Sequence, residues 1–195
     1  MIQINNELRD RAYQCACRHG FHNVEHSNSY YCMLIITELS EAIASDRKGR
    51  HADSNFFIET LSSSVSWNSN DEKEKNKIFK VLFEREIKDT VEDELADVVI
   101  RCLDCAGERK FDMTIDLLDV LPIPVGENGI DTFTDFMFGV SAFLFNQTTS
   151  LQINLLSVIG CMLGYAKQFN IDLLWHIKQK MKYNELRPML NGKKY

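Results

Sequence analysis

TVEDELADVVIRCLD, residues 90–104, decides how this chain reads. Val91, Leu95, Val98, Val99 and Cys102 recur at helical spacing, the mark of a core-facing stripe on an amphipathic helix. Yet Glu92, Asp93, Glu94, Asp97 and Asp104 crowd the same turns. At 3.6 residues per turn, Glu94 and Asp97 lie roughly 60° apart, on the border of the apolar stripe and not opposite it. Arg101 falls in the same sector. Upstream, LIITELSEAIASDRKGR (34–50) repeats the arrangement, with Glu38 and Glu41 flanking Ile35, Leu39, Ala42 and Ile43. Two helices packed through these faces bring both acid pairs to one border of the core.

The rest of the chain supports an all-α fold. Residues 5–19 read as a first helix ending at Gly20, and 28–47 as a second closed by basic residues. Within 51–70, SSSVSWNSND reads as an exposed loop, and a charged helix follows through DEKEKNKIFKVLFEREIK. Thr90 is placed to cap the next helix, with Asp93 at the third position, where a capping box carries Glu or Gln. That helix is expected to run to about Ala106 and to stop near Gly107. The Pro- and Gly-rich LPIPVGENG (121–129) breaks the chain. Helical patterns resume at 131–145, 150–169 and 172–187, and Pro188 ends the last. No alternating strand pattern persists. The expected fold is a single helical domain over 1–195, with insertions at about 51–85 and 108–170.

Bulk properties narrow the function. A chain of 195 residues, 45% hydrophobic and 26% charged, is an ordinary globular composition. Its net charge of -6 argues against a nucleic-acid polymer, whose phosphates need a basic surface. The N-terminal MIQINNELRD has no secretory apolar region, and FTDFMFGVSAFLFN (133–146) is short for a bilayer span, so a soluble cytoplasmic protein is expected. Of six cysteines, Cys102 and Cys105 form a C-x-x-C inside the helix without a second such pair. Buried free thiols fit better than zinc. His22 and His26 sit in a polar turn and read as no metal site.

Four carboxylates cannot share a half-buried border uncompensated, because like charge and desolvation both raise their pKa values. Hard divalent cations relieve this, Mg²⁺ and Mn²⁺ preferring oxygen. No E-x-x-H occurs, which excludes the di-iron pattern that needs it. At the C-terminus, KQKMKYNELRPMLNGKKY (178–195) places Lys180, Asn184 and Arg187 on one helix face, a row suited to polyphosphate oxygens. Taken singly, each acid pair and this row also suit a solvated helix surface.

Together, GFH at 20–22, the segments 34–50 and 86–107, and IDLLWHIKQKMKYNELRPMLNGKKY (171–195) resemble the MazG-like nucleotide pyrophosphohydrolases, an all-α superfamily. The resemblance covers roughly residues 20–50, 86–107 and 171–195. It implies Mg²⁺-dependent hydrolysis, with Mn²⁺ a possible substitute, of nucleoside triphosphates to monophosphate and pyrophosphate. It implies Glu38, Glu41, Glu94 and Asp97 as metal ligands, and Lys180, Asn184, Arg187 and Lys193 as nucleotide contacts. In such a reaction one acid, Glu41, is also expected to accept the proton of the attacking water. It further implies a homodimer or homotetramer. The chain departs from the family pattern in its two longer linkers, in His22 where Trp is usual, and in Asn191 where His is common. Two other readings are a dUTP- or dCTP-specialised enzyme of the same superfamily and a non-catalytic helical binding module. Completeness of the acid and basic sets favours the enzyme.

Overall fold

The computed structural model describes residues 3–126 and 129–192. Its helices are α1 (Asn6–Arg18), α2 (Asn28–Asp46), α3 (Ser54–Ser63), α4 (Glu72–Glu86), α5 (Val91–Arg109), α6 (Phe133–Phe145), α7 (Leu151–Gln168) and α8 (Leu173–Glu185), with a 3₁₀ turn at Met189–Gly192. Two two-residue strands, β1 (Gln3–Ile4) and β2 (Ile115–Asp116), pair antiparallel. The protein is thus all-α, as its periodicity indicates. Every helix starts on an Asn, Ser, Asp or Thr whose side chain accepts a first-turn N–H. Such caps satisfy amides that have no partner within the helix.

Helix α5 is the axis of the fold, packed against α1, α2, α7 and α8. Val91, Leu95, Val98, Val99, Cys102, Leu103 and Ala106 are all fully buried there. The pair α6 and α7, within the long 108–170 segment, lies on this core: Phe136, Met137, Val140, Leu155, Val158 and Ile159 join the same cluster. The α3–α4 hairpin makes a smaller second cluster, in which Phe57, Leu61, Phe79 and Phe83 pack with Tyr183 of α8.

The structure adds one element to the sequence reading, ahead of the serine-rich loop, and corrects the end of another. Residues 54–63 are helical, because Asp53 caps them and Phe57 and Leu61, one turn apart, pack into the second cluster. Helix α5 does not stop at Gly107. A Cβ there would lie 2.4 Å from the Cβ of Tyr13, so this glycine lets α1 approach α5. Lys110, in the left-handed region at φ 57°, ends the helix instead, and the Phe111 N–H closes on the Ala106 carbonyl at 2.9 Å.

Candidate metal centre

The six acids of α5 are not a solvated face. Glu92, Asp93, Glu94 and Asp104 are all buried, and each has a different environment.

Glu92 ties down the loop that follows α2. Its carboxylate accepts from the Ala52 N–H at 2.9 Å and lies 3.0 Å from His51 Nδ1. Asp93 reaches back to the Asp89 N–H at 3.1 Å while Thr90 caps the helix, a variant of the capping box. The same Asp93 oxygen accepts from Lys180 Nζ at 2.6 Å, and Asp97 accepts from that ammonium at 2.8 Å. At the far end, Asp104 holds His22 Nε2 at 2.7 Å, and Glu108 lies 3.4 Å from its other ring nitrogen.

That leaves Glu94. Only 3% exposed, it has one carboxylate oxygen, Oε2, buried without a hydrogen-bond partner. Glu94 meets Glu38 and Glu41 of α2, and one oxygen from each of the three lies within 4.8 Å of the others. Glu38 is buried and accepts from Arg101 Nε at 2.8 Å, whereas Glu41 is exposed. Burial, then the charge of Asp97, pushes Glu94 up to about 8. Burial and Asp97 raise Glu38 as well, against the opposing pull of Arg101. An unpartnered buried carboxylate costs free energy that a partner would recover.

The donor set fits a hard divalent cation. All three donors are carboxylate oxygens, and two oxygens opposite each other on Mg²⁺ lie about 4.2 Å apart. Glu38, Glu41 and Glu94 are therefore brought together as their spacing suggests. Asp97 lies outside this group of mutually close atoms and faces Lys180.

The basic row divides similarly. Burial works against the Lys180 ammonium, but the charges and hydrogen bonds of Asp97 and Asp93 outweigh it and hold its pKa above the ordinary value. Lys180 is thus buried between helices, not presented to solvent. Asn184 and Arg187 instead line a cavity of about 60 Å³ bounded by α1, α5 and the end of α8, together with Asp97, Arg101 and Asp104. Asn184 Oδ1 is buried and unpartnered. The Arg187 backbone is fixed from α1, its carbonyl 2.9 Å from His19 Nε2. Lys193 lies outside the described residues.

Sequence reasoning gave no role to Arg101 or His22, and gave Asp93 a capping role but not its contact with Lys180. Arg101 shares the angular sector of Glu94 and Asp97, a signal that was present in the sequence. The His22–Asp104 pair joins residues 82 apart and has no local signature. Among the described residues, no helix is long and apolar enough to cross a membrane. No protein-family model, curated protein or solved structure matches the chain, so the reading of this site stands on its geometry.

Proposed function

We propose that this protein is a divalent-cation-dependent nucleoside triphosphate pyrophosphohydrolase of the MazG-like kind, acting through Glu38, Glu41 and Glu94. The observation that carries the proposal is Glu94: a carboxylate only 3% exposed, with one unpartnered oxygen, and with an oxygen within 4.8 Å of two further carboxylates from another helix. Asp93 also keeps one buried oxygen without a partner, but Lys180 neutralises its other oxygen; Glu94 makes no ion pair among the described residues, and a bound cation would supply the missing charge.

A bound Mg²⁺, or Mn²⁺, would neutralise phosphate charge and lower the pKa of a coordinated water. Glu38 is held in place by Arg101, and Glu94 is confined by its burial in α5. Glu41, the exposed member, accepts the water's proton. The water oxygen bonds to phosphorus, the α–β anhydride breaks, and its bridging oxygen leaves with the pyrophosphate. Asn184 and Arg187, on the rim of the small α1–α5–α8 cavity with Arg101, are the polar groups assigned to contact the nucleotide, most of which would lie outside that cavity. No protein nucleophile enters this scheme.

The test is product identity by ³¹P NMR on a panel of NTPs and dNTPs, with Mg²⁺ and then Mn²⁺, on wild type and Glu94→Gln. Monophosphate and pyrophosphate from wild type, and neither from the variant, is the expected result. Nucleotide binding without turnover on any substrate would overturn the hydrolase reading in favour of a binding module.

A further inference from the structure

Four carboxylates at one helix border would ordinarily suit two divalent ions. One of the four is already taken. Lys180 Nζ lies 2.8 Å from Asp97 and 2.6 Å from Asp93, and the lysine is 5% exposed against Asp93 at 1%. An ammonium this deep, with two carboxylates around it, cannot swing to solvent without leaving Asp93 as a lone buried charge. Phe83 closes another side, its ring centroid 5.9 Å from Nζ. Asp97, correspondingly, is absent from the set of oxygens close enough to share an ion.

We propose that Lys180 is a built-in cation that takes Asp97 out of the ligand set. The site then accepts one divalent ion, on Glu38, Glu41 and Glu94, with the lysine ammonium standing where a second ion would sit. This inference rests on the cation-site reading above and makes it specific. Charge agrees with it. Five carboxylates, Glu38, Glu41, Asp93, Glu94 and Asp97, face two protein cations, Lys180 and Arg101. Three negative charges remain, and one divalent ion brings them to a single negative charge. Lys180 is accordingly a positioning residue, which fixes Asp97 and joins α8 to α5 without touching the nucleotide.

The experiment is Mn²⁺ titration of the whole chain without nucleotide, following the loss of the free-ion EPR signal, on wild type, Asp97→Asn and Glu94→Gln. Asp97→Asn keeps the Lys180–Asp93 pair, so the fold should persist, and near-UV circular dichroism checks that. The expected results are one ion per chain in wild type, affinity within about threefold of that in Asp97→Asn, and at least a tenfold loss in Glu94→Gln, in keeping with first-ligand effects exceeding those of outer contacts. Two ions per wild-type chain, or a tenfold loss in Asp97→Asn, overturns the lysine proposal while leaving the cation site intact. No Mn²⁺ binding by wild type overturns both.

Discussion

Replacing Glu94 by Gln should stabilise the metal-free protein while abolishing its cation binding. Glu94 titrates at about 8 in the fold against an ordinary 4.5. Between those values the folded protein keeps a proton that the unfolded chain has lost, so stability falls as pH rises. The stabilising proton is fully present below the lower value and is lost through the higher. At about pH 7 the accumulated penalty is on the order of 3 kcal/mol, and at about pH 5 it is under about 1 kcal/mol. Gln keeps the size of the side chain and carries no charge, so it escapes that penalty. For a chain of this length, the variant should melt roughly 6–12 °C above wild type near neutrality. Calorimetry in EDTA at both pH values measures this directly. Excess Mg²⁺ should then raise wild type alone. A variant melting at or below wild type near neutral pH, in EDTA, would refute the claim that Glu94 is buried without a compensating partner and must hold a proton in the fold.

Three further outcomes follow from the packing. Gly107→Ala places a Cβ against Tyr13 at 2.4 Å; overpacking of that kind costs about 1–3 kcal/mol, more than the helix propensity gained, so thermal unfolding should shift down by a few degrees. Lys180→Met leaves Asp93 buried without its partner, and chemical denaturation should register a loss of about 3–5 kcal/mol, partly restored by Asp93→Asn in the same chain. His22 sits between Asp104 and Glu108; burial opposes its charge, but those carboxylates win and raise its pKa. Its stabilisation is therefore full below the ordinary histidine range and lost as pH rises through the raised value. His22→Gln should cost about 1–3 kcal/mol in mild acid and less in alkali, read from denaturation midpoints across pH.

The helices were legible because amphipathic periodicity and capping residues are local properties. Thr90 and the stripe from Val91 to Cys102 specify α5 without reference to the rest of the chain. Helix α3 was hidden because its serines suggest a loop, and its two anchors, Phe57 and Leu61, acquire meaning only once α4 supplies Phe79 and Phe83. Gly107 misled for a related reason: a glycine that ends a helix and one that admits a neighbouring helix look alike until Tyr13 is placed. At the site, matching angular offsets on α2 and α5 brought Glu38, Glu41 and Glu94 together in the sequence reading and in the structure. What spacing could not assign was the partner of each acid. Asp93 and Asp97 face Lys180, and Asp104 faces His22, through contacts that span more than 80 residues in each case.

The central claim is that Glu38, Glu41 and Glu94 form a cation site serving a triphosphate. A crystal structure with Mn²⁺ and a nucleoside triphosphate whose α–β bridge is methylene, measured at the manganese edge, tests it most directly. The account requires an anomalous peak within bonding distance of all three carboxylates, with phosphate oxygens beside it and the Lys180–Asp97 contact retained. Density for the nucleotide elsewhere, or three carboxylates with no manganese among them, would contradict it.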